Sequence, residues 1–356
     1  MSMTAVSSPT SSLFPFPALR LRMLAAVALL FASALLPAQA QLPFADIASA
    51  DRVSPANAPA FRALQEGRVD EAAALLHSRL ASSAGDAIAH QLLCRVYYAQ
   101  DAADEAIREC ELAVSSGSAS SPDTSDSELW LGRAYGMKAS HAGPIAGFKL
   151  ARKVQSSFSR AVELNPSNLA ALNDLGEYYV AAPFIVGGGD DKAKALAAQM
   201  MPRFPSSAHR LLARLADSNK DLGTAESEFK QAIAAQKTPE TWIDLAHFYE
   251  GHGRYDEALA AVKSGLTLDR THGPALVDAA SILTAAHRAP DLAERCLRDY
   301  LASHAKSDAA PAFKVHVQLS RLLAARGDNA NASREADAAA ALASAFARRS
   351  GSSRGQ

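Results

Sequence analysis

The sequence predicts an all-α fold, a superhelical solenoid of about eight helical hairpins. Three observations indicate it. Apolar residues recur at i, i+3, i+4 and i+7, which is the spacing of one helix face. A small residue of the kind that close helix packing requires returns about every 34 residues. No stretch shows the two-residue alternation of a half-buried strand. The 356 residues are therefore expected to form one continuous stack of repeats rather than several globular domains.

Residues 239–270 give the clearest unit. The apolar stripe of its first helix, helix A, consists of Trp242, Leu245, Ala246 and Tyr249. Gly251 and Gly253 end this helix, and a second helix, helix B, is expected from about Asp256. Ala258 of helix B then faces helix A, where a small residue lets the two helices approach closely.

Equivalent alanines mark helix B along the chain. They are Ala72, Ala106, Ala193, Ala225, Ala258, Ala293 and Ala332. This pattern resembles the tetratricopeptide repeat (TPR) superfamily, which implies a right-handed superhelix. The units near the two ends match less well, and Pro59 would lie inside helix A of the first unit.

Two insertions, at 136–153 and 181–193, interrupt the plain repeat. With the motifs LGRAYG and VGGGDDKA around them, residues 92–201 resemble the regulator-of-microtubule-dynamics family and TPR proteins of the bacterial envelope. The resemblance implies an adaptor and transfers no catalytic residue.

The glycine run 187–189 lacks the Lys-Ser/Thr end of a phosphate-binding loop, so we interpret it as a turn with Asp190 as the following N-cap.

The N-terminus predicts export. Residues 1–40 contain no acid, and Arg20 and Arg22 precede a short apolar run that ends in a small-x-small pattern before Gln41. We expect a secretory signal at 1–40, the alternative being an uncleaved signal anchor. A linker at 41–52, a solenoid at 53–346 and a disordered tail at 347–356 follow. The expected location is the periplasm or cell envelope.

Composition argues against several function classes. The formal net charge of −1 disfavours nucleic acid or an anionic membrane as the main partner, and we expect no stable membrane insertion after cleavage. The scattered histidines and the lack of HExxH, CxxC or GxSxG motifs predict no enzyme, no metal and no cofactor. The sequence does not predict an oligomeric state.

A concave groove is the feature that the TPR resemblance offers for binding a protein or peptide. The groove positions on helix A are Arg95, Tyr98, Trp130, Arg133, Asn173, Glu177, Arg210, Arg214 and His247. Tryptophan and arginine are enriched at binding hot spots, so these residues predict a non-enzymatic scaffold that binds a partner segment. Two alternatives stay open. The positions are ordinary solvent-facing residues, or the protein captures a small ligand for a transporter in an enclosed apolar cavity near Trp130 and residues 183–186.

Two of the three cysteines are candidates for a disulfide. Cys94 on helix A and Cys110 on helix B face each other across an antiparallel helix pair, within reach of a bond. Export would place them in an oxidising compartment, where such a bond persists. Cys296 would then be the one cysteine without a partner. The alternative is that Cys94 and Cys110 are small core residues that never bond.

Overall fold

The computed structural model describes residues 53–118 and 122–352, and within these ranges it contains helices, turns and loops but no strand. The helices pair into eight antiparallel hairpins followed by a last helix. Their bounds are α1 Ala58–Gln65 and α2 Val69–Ser82; α3 Ala87–Ala99 and α4 Ala103–Ser116; α5 Pro122–Ser140 and α6 Pro144–Leu164; α7 Leu169–Ala181 and α8 Asp190–Met200; α9 Pro205–Ser218 and α10 Leu222–Ala235; α11 Pro239–Gly251 and α12 Tyr255–Leu268; α13 Ala275–Ala285 and α14 Pro290–Ala302; α15 Ala312–Ala325 and α16 Asn329–Leu342; and α17 Ser344–Ser352. The predicted all-α superhelical solenoid is confirmed.

The alanines that mark helix B are buried where the two helices of a hairpin meet. Ala72, Ala106 and Ala258 are 0% exposed. Helix A ends in several hairpins with a residue in the left-handed region, such as Gly253 at φ +71°. Glycine adopts this conformation without steric cost, so the sequence signal for the end of helix A has a direct backbone cause.

The first insertion lengthens helices instead of forming a loop. Because α5 runs to Ser140 and α6 begins at Pro144, the two helices reach 19 and 21 residues. The second insertion forms a short 3₁₀ turn, Phe184–Val186, and then the glycine run. A side chain at Gly188 would place its Cβ 1.7 Å from a backbone oxygen of the residue at the end of α7.

Two details of the sequence interpretation are wrong. Asp190 is not an N-cap, because α8 already begins there, and its carboxylate instead accepts a hydrogen bond of 2.7 Å from Asn219 Nδ2. The domain bound at 346 also differs, because α17 runs from Ser344 to Ser352 and so crosses it; disorder of the tail stays a prediction. Pro59 is accommodated in the first turn of α1, where its missing N–H costs no hydrogen bond.

The predicted signal at 1–40 and linker at 41–52 lie outside the described residues, as do 353–356. Among the helices that are described, none is long and apolar enough to cross a membrane.

The eighth hairpin packs against the first and closes the solenoid into a ring. Leu64, Leu76 and Phe313 are fully buried in one shared core, with Phe346 packed against it. The Ser344 amide donates 2.7 Å to an oxygen of Asp70 in α2. We call this contact, between α1–α3 on one side and α15–α17 with the linker 303–311 on the other, the seam.

A steric contact and an ion pair show how closely the two ends pack at the seam. A Cβ added to Gly67 would lie 2.7 Å from the amide nitrogen of Ala312, so glycine is required for the approach of the two ends. Lys314 Nζ lies 2.7 Å from the carboxylate of Asp101 in the second hairpin.

Candidate functional site: the inner wall of the ring

Charged side chains on helix A of successive hairpins form a row that we call the inner wall. It begins at the seam, where Arg95 of α3 meets Asp308 of the linker 303–311. Arg95 donates from Nε and Nη2 to the two carboxylate oxygens, at 2.7 and 2.8 Å, and both side chains are 2% exposed. Gln65 of α1 donates a third hydrogen bond, of 3.0 Å, to Asp308. Burial works to raise the pKa of Asp308, but the charge and hydrogen bonds of Arg95 outweigh it and hold the pKa below its ordinary value.

The linker that carries Asp308 is fixed by a buried tyrosine. The Tyr300 hydroxyl at the end of α14 donates 2.6 Å to the Ala310 carbonyl and accepts 3.0 Å from the Ser307 amide. These two hydrogen bonds satisfy backbone groups of the irregular segment inside the protein and thereby fix its position.

The next part of the inner wall is built around Trp130 of α5. The guanidinium carbons of Arg95 and Arg133 lie 5.1 and 4.6 Å from the centre of its ring, within cation–π range. Tyr98 packs edge-on against the same ring at 5.3 Å, and burial raises its pKa to about 12. Arg133 Nε also donates 2.6 Å to Asp174 of α7.

Further along, Glu177 of α7 faces two arginines of α9. Its carboxylate lies 3.4 Å from Arg214 Nε and 3.8 Å from Arg210. The charge of Glu177 raises the pKa of Arg214 against the effect of burial. Asn173 Oδ1 is a buried atom with no hydrogen bond. A buried polar atom without a partner costs free energy, so an acceptor is left available here.

The last part of the inner wall is acidic. Asp244 of α11 and Asp278 of α13 are half-buried and form no hydrogen bond or ion pair within 53–118 and 122–352. Burial, together with the charges of Asp244 and Glu240, raises the pKa of Asp278 to about 8. Burial also raises the pKa of Asp244, although Arg210 and Arg214 oppose it. We call Glu240, Asp244 and Asp278 the acid stretch.

The predicted groove residues follow one another along the inner wall, but the expectation of an open groove at Arg95, Arg133 and Trp130 is wrong. These three side chains are buried, and both arginines bind carboxylates of the protein itself. Asn173, Glu177, Arg210 and Arg214 form one cluster. The His247 side chain is 39% exposed and lies 3.6 Å from Glu250. That these residues bind a partner stays a prediction.

An enclosed apolar cavity near Trp130 is not what the structure shows. The guanidinium groups of Arg95 and Arg133 pack against the ring of Trp130. Phe184 and Ile185, which were expected to line the cavity, are exposed. Sequence reasoning missed Asp278 and Asp308 as inner-wall residues. Asp278 is identifiable from the helix A register, but Asp308 carries no periodic signal because it lies in an irregular linker.

Cys94 and Cys110 form a disulfide between α3 and α4, with Sγ atoms 2.02 Å apart and Cα atoms 5.3 Å apart. Cys296 is buried and unbonded, and burial raises the pKa of its thiol to about 11. Across the described parts of the chain, no group of three or more His, Cys, Asp or Glu side chains is arranged to hold a metal ion.

These features define a helical-repeat protein with a closed ring and a charged inner wall. Residues 63–121 match the tetratricopeptide repeat family, and residues 209–348 match the family described as the middle TPR-like domain of cilia and flagella-associated protein 70. The chain is a TPR protein. Proteins of this kind generally act as scaffolds for protein–protein interaction rather than as enzymes. The narrower resemblance to the regulator-of-microtubule-dynamics and bacterial envelope families stays a prediction.

Solved TPR structures resemble the chain at low identity. A TPR protein of Thermus thermophilus shares 22% identity over 60% of this chain and 99% of that one, with a TM-score of 0.38. Yeast Tom70 shares 15% over 90% of this chain and 66% of that one, with a TM-score of 0.48. A TPR protein from Parabacteroides merdae shares 15% over 66% and 87%, with a TM-score of 0.40. No curated protein matches the sequence.

Proposed function

We propose that the protein is a non-enzymatic adaptor of the cell envelope that binds a segment of a partner protein on its inner wall, at the acid stretch. One observation carries the proposal. The inner wall pairs its charges at Arg95–Asp308, Arg133–Asp174 and Glu177–Arg214, yet Asp244 and Asp278 have no such partner among the described residues. A bound cation would supply it.

The chemistry of the partner segment follows from these groups. A lysine or arginine side chain placed between Asp244 and Asp278 would interact favourably with both carboxylates and lower the raised pKa of Asp278. The buried Asn173 Oδ1, which lacks a hydrogen-bond partner, would accept a hydrogen bond from an amide of the segment's backbone. A basic, extended peptide fits both requirements.

Two observations support the proposed location in the envelope. The leader pattern at 1–40 and a disulfide in a repeat protein both favour an oxidising compartment. Mass spectrometry of the protein from its host should find an N-terminus at Gln41 in the soluble envelope fraction. A membrane-bound product that retains the leader would contradict this part of the proposal.

The adaptor is tested by affinity purification from the envelope with the full chain. Asp278→Asn combined with Asp244→Asn should abolish capture of the partner, because a bound cation favours the ionised form of both carboxyls and asparagine cannot ionise. Asp256→Asn is the matched control, since Asp256 belongs to the outward helix α12 and its side chain is 90% exposed. Capture that survives the double substitution would overturn the proposed site.

A second candidate function is capture of a small ligand for a transporter. It is favoured by a cavity of about 490 Å³ at the seam, lined by residues that include Arg62, Lys306 and His316, because most small-molecule sites are concave and of this size. Native mass spectrometry distinguishes the two functions. A small bound mass lost with Lys306→Gln supports this candidate, and a protein partner lost with the Asp244 and Asp278 variant supports the adaptor.

A further inference from the structure

The two insertions, which contact each other, expose large apolar side chains. The exposed fractions are 79% for Ile145, 38% for Phe148, 84% for Phe184 and 62% for Ile185. We call these four residues the apolar tip. Aromatic and aliphatic side chains at such exposure are unfavourable in water, and when they are grouped they mark an interaction surface.

The insertions that carry the apolar tip are fixed to each other. The Tyr178 hydroxyl lies 2.9 Å from the carbonyl oxygen of Ala151 in α6 and 2.6 Å from that of Val186 in the 3₁₀ turn. A Cβ placed on Gly187 would contact the side chain of Gln155 at 3.4 Å. The turn therefore rests on α6, and the tip is part of the folded body.

One face of α6 carries both the tip and positive charge. Ile145, Phe148 and Arg152 follow one another at i, i+3 and i+7, so they share a face, and all three are exposed while Val154 on the opposite face is buried. Lys149 is exposed beside Phe148. With a rise of 1.5 Å per residue, Arg152 lies about 10 Å behind Ile145 along the helix.

The segment around the tip is basic in a chain that is otherwise balanced. Residues 129–162 contain six Lys and Arg and no Asp or Glu, although the whole chain has a formal net charge of −1. Arg133, Lys138 and Arg160 form ion pairs within the protein. Lys149 and Arg152 are exposed and form no ion pair with the described residues, so they are the cations available at the tip. Acidic side chains lie on the far side of the 3₁₀ turn, at Asp190 and Asp191, and Asp190 is hydrogen-bonded by Asn219.

We propose that the apolar tip docks reversibly on an anionic lipid bilayer. Interfacial segments bury their apolar side chains about 5–10 Å into the boundary between headgroups and acyl chains. Because Ile145, Phe148 and Arg152 share one face of α6 and the turn of Phe184 and Ile185 rests on the same helix, the cations would meet the lipid phosphates when the apolar side chains enter this boundary. The inference is independent of the proposed adaptor function. It adds a surface that holds the ring against a membrane while the inner wall stays available.

A tryptophan at the tip reports insertion at that place alone, whatever residues 1–40 do. The full chain with Phe184→Trp is mixed with vesicles of phosphatidylglycerol and phosphatidylcholine whose acyl chains are brominated. We expect quenching and a blue shift of the added fluorescence. The unsubstituted chain, with its own Trp130 and Trp242, supplies the background. Vesicles of phosphatidylcholine alone should give little quenching.

Variants separate the apolar and electrostatic contributions in a vesicle flotation assay. Ile145→Ser with Phe184→Ser should reduce the bound fraction strongly. Leu112→Ser with Leu222→Ser is the matched control, because each leucine is 40% exposed on another repeat. Lys149→Gln with Arg152→Gln should weaken binding about fivefold for each charge removed, since a cation at an anionic surface contributes about 1 kcal/mol, and added salt should weaken the unsubstituted chain likewise.

Three results would overturn the proposal. One is that the tryptophan of a folded Phe184→Trp variant stays unquenched. Another is equal quenching by phosphatidylcholine alone, which would remove the anionic lipid from the inference. The third is self-association that light scattering detects and that Phe184→Ser abolishes without any lipid effect, because the tip would then bind a second copy of the chain.

Discussion

Arg95 and Asp308 are 213 positions apart in the sequence, yet they form a two-pronged ion pair at the seam, with distances of 2.7 and 2.8 Å. Fork-shaped pairing of this kind is strong and directional. It joins the second hairpin to the linker before the eighth, so it fixes the distance between the two ends of the solenoid. The aromatic rings of Phe61 and Trp130 complete the surroundings of the guanidinium group, at 5.5 and 5.1 Å.

Asp308→Asn should destabilise the protein by about 3–5 kcal/mol, because it leaves the charge of Arg95 buried without a counter-charge. Urea denaturation followed by circular dichroism measures the change. Asp256→Asn, on an exposed surface, should stay within about 0.5 kcal/mol. Replacing both partners, as Arg95→Met with Asp308→Leu, should recover much of the loss. A loss under about 1 kcal/mol for Asp308→Asn would contradict the importance of the pair.

The stability of the protein should depend on the protonation of Asp278. Its folded pKa of about 8 lies above the ordinary value of 3.8, so the folded state binds this proton more tightly than the unfolded state does. The stabilisation is fully present below the unfolded pKa, and it is lost as the pH rises through about 8. Asp278→Asn should therefore flatten the decline and raise the melting temperature at alkaline pH.

Thermal melts of both proteins across this pH range test the assignment. The Asp256→Asn protein should follow the unsubstituted chain at every pH. If the melting temperatures of the unsubstituted and Asp278→Asn proteins run parallel from acid to alkaline pH, the pKa of Asp278 is not raised by burial and by the neighbouring acids.

Gly188→Ala should disrupt the 3₁₀ turn, because the new Cβ would lie 1.7 Å from the backbone oxygen of Ala182. Backbone atoms cannot yield as a flexible side chain does, so we expect a loss of about 1–3 kcal/mol and faster proteolysis at the turn. Gly143→Ala is the control, since nothing lies within 4 Å of its added Cβ. Equal protease resistance in the two variants would refute the rigid turn.

The Cys94–Cys110 disulfide predicts a thiol count. Denatured, unreduced protein should react at one thiol, that of Cys296, and a count of three would rule the bond out. The two cysteines are 16 residues apart, so in the chain-entropy model their bond contributes about 3 kcal/mol. Cys94→Ala with Cys110→Ala should lower the urea midpoint accordingly.

The hairpins were predictable because their signals are local. Ala106 and Ala258 have to be small because the two helices of each hairpin meet there. A glycine such as Gly253 adopts the left-handed conformation that ends helix A, and this too depends on a few neighbouring residues. Closure was not predictable, because it depends on small rotations that accumulate over all the repeats. The closing contact at Gly67 also involves a residue of α15 far away in the chain.

The inner wall shows the same division. The helix A register identified Arg95 and Arg133 as inner-wall residues, since that position follows from the repeat. It did not identify what they bind, because Asp308 lies in a linker without periodicity and Asp174 is one of many acids. For Asp278, the raised pKa comes from burial and neighbouring acids on another helix, which only the folded arrangement reveals.

A solenoid with free ends behaves like a spring, because each repeat contacts only its neighbours and small changes of angle add up along its length. Joining the first hairpin to the last removes that elasticity. Widening the opening would require the Arg95–Asp308 pair to break and the shared core around Leu64 and Phe313 to separate. The ring should therefore keep an opening of constant width. A partner segment would be selected first by its thickness and only then by its charge.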